Sequence, residues 1–222
     1  VERAGDRVKT TLQDGTVLEA DLCLVALGIA PNTEGIGLDR VGVALDRGFV
    51  VIDAYGRTNV PGVYAVGDVT TRGGLAHTAT AQGHVLAELL AGHHPVAVRY
   101  DAIPSCTYCQ PQVASVGITE EAARKAGHDV KIGRFPFIAN AKSYGAGTPE
   151  GFVKVVIDAK HGEILGAHII GADATEMIAE YTVARTNELT TDEILHTVHA
   201  HPTAAEVMLE AVAQGLGVSV HI

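Results

Sequence analysis

The order of apolar and polar positions predicts a β-hairpin over residues 7–28, near the start of the chain. Every second position over 8–12 carries a residue that favours strands, and Asp14 and Gly15 then supply a turn. The uninterrupted apolar run at 22–27 is typical of a strand that is buried on both faces. The remaining elements predicted for this region are strands at 49–52 and 62–68 and a helix at 78–90.

A break made of small residues and a proline at 91–95 separates this region from a second one. The second region is predicted to be α+β, with an antiparallel sheet that carries helices on one face. Its predicted strands lie at 113–116, 130–135, 152–157 and 163–170, and its predicted helices at 119–126, 173–187, 191–196 and 203–214, with a loop at 140–149.

The composition argues against several classes of protein. The chain has 222 residues, of which 47% are hydrophobic and 19% charged, so it is long enough for one or two globular domains. A formal net charge of -10 and a pI near 5.5 disfavour a nucleic-acid partner, because a phosphate backbone requires a basic surface. The longest apolar run, at 22–30, is too short to cross a membrane.

The three cysteines indicate a reducing, cytoplasmic setting, since their number is odd and no signal-like segment begins the chain. Cys106 and Cys109 form a C-x-x-C, which in other proteins is a redox pair or half of a zinc site. The flanking residues predict extended chain, in which positions three apart point to opposite faces. A disulfide between the two is therefore disfavoured, and no second C-x-x-C completes a zinc site.

Two features suggest that this sequence is the C-terminal portion of a longer protein. The chain starts at Val1 instead of a methionine, and strand-like sequence follows almost at once. It also contains no G-x-G-x-x-G, the glycine fingerprint of dinucleotide-binding turns. The glycine pairs at 35–37 and 215–217 do not stand in a strand-to-helix turn and cannot replace that fingerprint.

His201 and Glu206 are candidates for an acid/base pair. Pro202 pushes His201 out of the helical region, while Thr203 and Glu206 have the spacing of a helix-capping box. The imidazole then stands beside the first helical turn, where the carboxylate can bond one ring nitrogen and orient the other. The alternative is that Thr203 and Glu206 form only a cap and that the histidine is structural.

A metal site is a further alternative for the same segment, because His196, His199 and His201 lie close together in the sequence. The break at Pro202 and the lack of an H-E-x-x-H pattern or of a cysteine on this segment argue against zinc. We therefore predict no metal site.

A second candidate site lies where the predicted strand at 62–68 ends. Asp68 stands at its carboxyl end, where ligands of open α/β sheets bind, and its carboxylate can accept a hydrogen bond from a sugar or polyol hydroxyl. Gly67 allows a close approach of the backbone, and residues 75–77 open the next helix, whose N-terminus attracts a phosphate or an electron-rich ring edge. The alternative is that Asp68 only caps the segment that follows.

Several stretches of the chain together resemble one family of enzymes. These stretches are GVYAVGD at 62–68, LAH at 75–77, PQVASVG at 111–117, EGFVKVVID at 150–158, EILGAHIIGADATEMIAE at 163–180 and HAHPTAAE at 199–206. They are similar to the flavin-dependent pyridine nucleotide-disulfide oxidoreductases, and among these most to the dihydrolipoyl dehydrogenases. The match runs in order over essentially the whole chain, and the stretch at 199–206 is its most specific part.

The resemblance implies how the chain is divided. Residues 1–45 would end an NAD-binding domain, 46–98 would be the C-terminal segment of an FAD-binding domain, and 99–222 would be the dimerisation domain. The implied fold class is therefore mixed: the end of nucleotide-binding α/β domains, followed by an antiparallel sheet with helices.

The resemblance also implies roles for the candidate residues. His201 would take the thiol proton of a dihydrolipoyl group, and Glu206 would hold and polarise its ring. The residues implied to contact the cofactors are Asp68 at the ribityl chain of FAD, Gly67, Leu75, Ala76 and His77 near the flavin, and Gly28 near the nicotinamide nucleotide.

The implied activity is the oxidation of dihydrolipoyl groups by NAD, through FAD and a redox disulfide that this sequence does not contain. The chain by itself should therefore be inactive. The implied partners are a second copy of the chain, whose site His201 would complete, and the lipoyl-bearing components of 2-oxoacid dehydrogenase complexes. Two alternatives remain: a related reductase of glutathione-like disulfides, and a fragment that acts only as a dimerisation module.

Overall fold

The computed structural model describes residues 1–221, which form two compact units, one from Val1 to Ala97 and one that begins at Val98. The first unit contains β1 (Glu2–Ala4), β2 (Arg7–Thr11), β3 (Val17–Ala20), α1 (Leu38–Val41), β4 (Leu45–Asp46), β5 (Phe49–Val50) and α2 (Ala76–Leu90). The strands β1, β2 and β3 form an antiparallel sheet in that order, and β4 pairs with β5.

The first strand and the turn of the predicted hairpin are present, but the second strand is β3 and not the run at 22–27. The turn closes as the backbone N–H of Gly15 donates to the Leu12 carbonyl at 3.0 Å, and Asp14 Oδ1 accepts the N–H of Thr16 at 2.9 Å. Gly15 has a φ of 85°, in the left-handed region that glycine adopts without strain. The local sequence is therefore sufficient to place this turn.

The prediction of a buried strand at 22–27 is wrong. The segment has no regular secondary structure, and Leu22, Leu24 and Leu27 are 87%, 91% and 95% exposed. No strand in the described part of the chain pairs with it. A strand that is apolar on both faces depends on neighbours that cover it, so without them the run stays extended and exposed.

The strand predicted at 62–68 is also absent. Tyr64 forms an isolated bridge with Arg57, and the segment ends in a 3-10 turn at Gly67–Val69. Gly62 and Gly67 both have positive φ, which interrupts regular strand geometry. The apolar side chains are buried in another way, since a small cluster contains Val43, Val50 and Ile52, packed against Val63, Ala65 and Val69.

The helix predicted at 78–90 is confirmed as α2, which begins slightly earlier, at Ala76. The strand predicted at 49–52 is shorter than expected and is confined to β5. None of the helices described for residues 1–221 is long and apolar enough to cross a membrane.

The second unit contains β6 (Ser105–Thr107), β7 (Gln112–Gly117), α3 (Glu120–Lys125), β8 (Val130–Pro136), α4 (Ala141–Gly145), β9 (Phe152–Asp158), β10 (Ile164–Gly171), α5 (Ala174–Thr186), α6 (Thr191–His196) and α7 (Glu206–Leu216). Its five strands form one antiparallel sheet in the order β6-β7-β10-β9-β8. The strands and helices predicted for this region are all present. The predicted loop at 140–149 differs, because Asn140 accepts the N–H of Ser143 at 2.9 Å and so caps the short helix α4.

Strand β9 shows how both faces of this sheet are used. Val153, Val155 and Ile157 belong to the main core, together with apolar side chains of α5 and α7. Val156 points to the opposite face and belongs to a second cluster with Ala123 of α3. The prediction that the helices lie on one face is therefore wrong for α3, because β9 is apolar on both of its faces.

Tyr181 links α5 to α7 inside the main core. Its side chain is fully buried, and its hydroxyl donates to the Met208 carbonyl at 2.8 Å. Burial raises the pKa of Tyr181 well above its usual value, so the hydroxyl remains protonated as a donor.

Tyr181→Phe should lower the free energy of unfolding by about 1 kcal/mol, because it removes one buried hydrogen bond and retains the ring. Urea unfolding followed by far-UV circular dichroism measures the change. Tyr144→Phe is the matched control, since Tyr144 is 68% exposed, and it should stay within about 0.5 kcal/mol of wild type. Equal effects of the two substitutions would contradict a stabilising role of the Tyr181 hydrogen bond.

Candidate functional site

His201 lies on the irregular segment that connects α6 to α7. Its Nδ1 is 2.8 Å from Glu206 Oε1, and the side chain of His201 is 73% exposed while that of Glu206 is 25% exposed. A carboxylate oxygen only accepts, so the Nδ1–H of the ring donates this bond. Nε2 has no hydrogen bond to the described residues and is left to exchange a proton with a ligand.

The capping box predicted at Thr203 is only half formed. Glu206 Oε2 accepts the backbone N–H of Thr203 at 2.9 Å, but the Thr203 hydroxyl donates to the Ala200 carbonyl at 2.7 Å. Helix α7 begins at Glu206 itself, so Thr203 is not its N-cap. The complete capping box of this region joins Thr190 to Glu193 at the start of α6 and was not predicted from the sequence.

The carboxylate of Glu206 is ionised near neutral pH. Burial raises its pKa, but the Thr203 N–H and the His201 ring together outweigh burial, so the pKa of Glu206 lies below its usual value. One oxygen thus orients the imidazole and the other holds the backbone that precedes α7.

Glu206→Gln should reduce stability at neutral pH, and the difference from wild type should shrink in acid. A carboxylate with a depressed folded-state pKa stabilises the fold above its unfolded pKa of about 4.3, and this contribution is lost as the pH falls through the folded value. Urea unfolding at about pH 7 and about pH 3 measures it. Glu150→Gln, at an exposed loop position, is the control and should stay within about 0.5 kcal/mol of wild type. A deficit of Glu206→Gln that is equal at both pH values would refute the linkage.

His201 and Glu206 line a cleft of about 340 Å³ in the second unit. Glu210, one helical turn after Glu206, lines it too, and its carboxylate accepts from the Ser219 hydroxyl at 2.9 Å and contacts His221 Nδ1 at 2.5 Å. Glu210, Ser219 and His221 were not predicted from the sequence. The spacing of the two glutamates on α7 could have identified Glu210, but no local pattern indicates the contact with His221.

His199 also lines this cleft, although only 7% of its side chain is exposed. Its Nε2 is 3.0 Å from Glu180 Oε1, and its Nδ1 is 3.0 Å from the Thr197 carbonyl. His196 makes a separate contact, with the Asp192 carbonyl. Within residues 1–221, no three histidine, cysteine, aspartate or glutamate side chains are grouped so that they could hold a metal ion.

The extended chain predicted on both sides of the C-x-x-C is present as β6 and β7. Cys106 lies half-buried on β6, whereas Cys109 is exposed in the bend that follows, and both thiols are free. Burial, with a smaller effect of Glu176, raises the pKa of Cys106, which keeps this sulfur in the less reactive thiol form.

The second candidate site lies at the 3-10 turn of the first unit. Asp68 Oδ1 accepts the N–H of Gly74 at 3.0 Å, and the N–H of Gly67 donates to the buried side chain of Gln82 at 2.6 Å. Gly67 has a φ of 76°, which favours glycine. Asp68 does not cap α2, because the N-cap of that helix is Leu75, without a side-chain cap.

Asp68 faces a cleft of about 340 Å³ that residues 29–32 and Val69 also line. Its side chain is exposed, and within residues 1–221 its Oδ2 forms no hydrogen bond. Gly28, with a φ of 118°, and residues 75–77 do not line this cleft. In this cleft the structure therefore groups Asp68 with residues 29–32, while Gly67 shares the 3-10 turn with Asp68.

Two family models match most of the chain. A model of the pyridine nucleotide-disulphide oxidoreductases matches residues 1–83, and the model of their dimerisation domain matches residues 103–212. The chain belongs to the pyridine nucleotide-disulphide oxidoreductases. This membership confirms the resemblance seen in the sequence.

Similar members of the pyridine nucleotide-disulphide oxidoreductases are named dihydrolipoyl dehydrogenase. That of Zymomonas mobilis is 53% identical over 199 residues, which are 89% of this chain and 43% of that protein. That of Mycobacterium tuberculosis is 49% identical over 211 residues, which are 93% of this chain and 46% of that protein. The chain thus spans less than half the length of these curated relatives.

Solved structures of pyridine nucleotide-disulphide oxidoreductases confirm the fold class. The crystal structure of LpdA from Mycobacterium tuberculosis matches with a TM-score of 0.85 and 29% identity, over 95% of this chain and 46% of that chain. The HOCl-induced flavoprotein disulfide reductase RclA from Escherichia coli matches with a TM-score of 0.84 over 95% of this chain and 48% of that chain. At 24% identity, RclA supports the fold alone.

Proposed function

We propose that this chain is the C-terminal portion of an FAD- and NAD-dependent dihydrolipoyl dehydrogenase, a disulfide oxidoreductase that oxidises dihydrolipoyl groups. The observation that carries the proposal is the 2.8 Å contact between His201 and Glu206, which leaves the other ring nitrogen at an exposed cleft. The relatives at 53% and 49% identity, both named dihydrolipoyl dehydrogenase, support the substrate class.

The pair matches the proton chemistry that this reaction requires. The nucleophile in thiol–disulfide exchange is the thiolate, so a dihydrolipoyl thiol must first lose its proton. His201 Nε2 accepts that proton, and the ionised Glu206 stabilises the imidazolium that forms. The thiolate then attacks one sulfur of a redox disulfide that lies outside this chain. A new S–S bond forms, the S–S bond of that disulfide breaks, and its second sulfur leaves as a thiolate.

The surroundings of Asp68 support FAD as the cofactor. An exposed carboxylate oxygen can accept a hydrogen bond from the ribityl hydroxyls, and the first turn of α2 has no side-chain cap and can face a polar ring edge. When bound, FAD supplies the two-electron chemistry between thiols and the nicotinamide nucleotide. The residues proposed to lie near the cofactors are Gly67, Leu75, Ala76 and His77 for FAD, and Gly28 for NAD.

The division of the chain follows the same proposal. Residues 1–45 complete an NAD-binding domain, residues 46–98 complete an FAD-binding domain, and residues 99–222 form the dimerisation domain. The match of the dimerisation-domain model to residues 103–212 supports the last of these.

The proposed partners follow from the family. A homodimer is proposed, in which His201 acts at the site of the partner subunit, together with the lipoyl-bearing components of 2-oxoacid dehydrogenase complexes. Neither nucleic acid nor a membrane is a proposed partner. The three free cysteines fit a cytoplasmic, reducing compartment.

A second candidate function is a dimerisation module without catalysis. The second unit has its own apolar core, built around Tyr181, Phe135 and Met208, so the observation that favours this function is its internal packing. The two candidate functions differ in whether the protein binds flavin and reacts with thiols.

Substrate assays on the full-length protein test the proposal. Dihydrolipoamide with NAD should support turnover, and glutathione disulfide with NADH should not. Turnover with glutathione disulfide but not with dihydrolipoamide would identify a sister reductase instead. A colourless dimer that is inactive with both substrates would favour the dimerisation module. The 222-residue chain by itself is expected to be inactive with either substrate.

A further inference from the structure

His199 is held more firmly than His201, although the two lie on the same segment. The side chain of His199 is 7% exposed and that of His201 is 73% exposed. Both ring nitrogens of His199 have partners within the second unit, at 3.0 Å each: the Thr197 carbonyl on its own segment and the Glu180 carboxylate on α5. Both partners offer oxygen atoms that accept hydrogen bonds.

The contact with Glu180 connects an irregular segment to a helix of the core. Residues 197–205 form neither helix nor strand, whereas α5 packs on the sheet through buried Ile178 and Tyr181. A second hydrogen bond, from the Asn140 amide to the Thr203 carbonyl at 3.0 Å, attaches the segment on the other side of His201 along the chain. His201 thus lies between two points at which the segment is attached to the rest of the unit.

His201 has little support of its own. Its ring is exposed, and Glu206 is its hydrogen-bond partner among the described residues. The position of the ring therefore depends on where the backbone of its segment lies, and a displacement of about 1 Å in a proton-transfer group can cost roughly 100-fold in rate.

We propose that His199 and Glu180 form a positioning pair: the buried imidazole ties the segment at 197–201 to α5 and thereby holds His201 where it accepts the substrate proton. The proposal rests on the proposed function. His199 itself is not assigned a catalytic role, because both of its ring nitrogens already have partners within the second unit.

The test uses the full-length flavoprotein and measures kcat and KM for dihydrolipoamide at saturating NAD. His199→Ala and Glu180→Ala should each lower kcat on the order of 10- to 100-fold, with KM changed by less than about threefold. The kcat of the double variant should be within about threefold of that of the slower single variant, because both substitutions break the same contact. Glu180→Gln keeps an acceptor oxygen for Nε2 and should restore kcat to within about threefold of wild type.

Two controls separate positioning from a general loss of structure. His196→Ala removes an exposed histidine from the same region and should leave kcat within about twofold of wild type. NADH oxidation by ferricyanide transfers electrons without a thiol proton and should be unchanged in every variant. Because Glu180 is 30% exposed, Glu180→Ala and Glu180→Gln provide the comparison if His199→Ala does not fold.

The outcomes distinguish this proposal from the function on which it rests. If His201→Gln retains dihydrolipoamide turnover, the acid/base function itself is refuted. If His201→Gln is inactive but His199→Ala stays within twofold of wild type, or if the two alanine substitutions are additive, only the positioning pair is refuted. A loss in Glu180→Gln equal to that in Glu180→Ala would also refute it.

Discussion

Replacing His201 by glutamine in the full-length protein should lower kcat for dihydrolipoamide oxidation by about 10²- to 10⁴-fold, the usual contribution of a positioned proton acceptor. Glutamine can still donate a hydrogen bond to Glu206, but its amide cannot take a thiol proton near neutral pH. The bound flavin should remain, because Asp68 and the other residues proposed to contact FAD are unchanged in this variant. Steady-state kinetics and the flavin absorbance of the purified variant measure both effects.

His161→Gln is the matched control for this experiment. His161 is an exposed histidine in the turn between β9 and β10, and its replacement should leave kcat within about twofold of wild type. NADH oxidation by ferricyanide should also be unchanged in His201→Gln. Near-normal turnover of dihydrolipoamide by that variant would remove His201 from the mechanism.

Gly133→Ala should destabilise the second unit by about 3 kcal/mol, at the upper end of what overpacking costs. Gly133 lies on β8, where α7 crosses the sheet, and a Cβ at this position would lie 1.8 Å from the Ala211 carbonyl oxygen and 2.9 Å from Val155 Cγ1. The obstacle is helix backbone, so a side-chain rotation cannot relieve it, and α7 must move away from the sheet. Since Glu206 begins α7, the same movement should also weaken the contact between Glu206 and His201.

Gly145→Ala is the control for Gly133→Ala. Gly145 is the last residue of α4, and a Cβ there meets no atom within 4 Å. Alanine favours helix over glycine by about 1 kcal/mol at most, so this variant should be as stable as wild type or slightly more stable. Because the chain has no Trp, urea unfolding is followed by far-UV circular dichroism. Equal stabilities of the two variants would show that α7 adapts to the added methyl group.

The parts of the fold that the sequence predicted are those with a local cause. The strands at 152–157 and 163–170 are marked by their apolar runs and by the turn between them, and both are confirmed as β9 and β10. The run at 22–27 has the same appearance but is exposed, because no described strand covers it. Apolar composition indicates that a segment could be buried, but burial itself requires a neighbour.

The same distinction applies to the candidate sites. The sequence by itself determined that His201 and Glu206 can meet, since the two residues are five positions apart and Pro202 lies between them. The sequence did not determine the capping contacts around this pair. The Thr203 hydroxyl donates to the Ala200 carbonyl, and the complete capping box forms at Thr190.

Only the tertiary structure decided which distant groups support the pair. Glu180 reaches His199 from α5, 19 positions earlier in the chain, and His221 returns to Glu210 on α7. It also decided that Asp68 shares a cleft with 29–32, and that α3 packs on the opposite face of the sheet from α5 and α7. The physical reason is range: spacing and backbone preference act over a few residues, whereas these contacts depend on how packed helices and strands bring separate segments together.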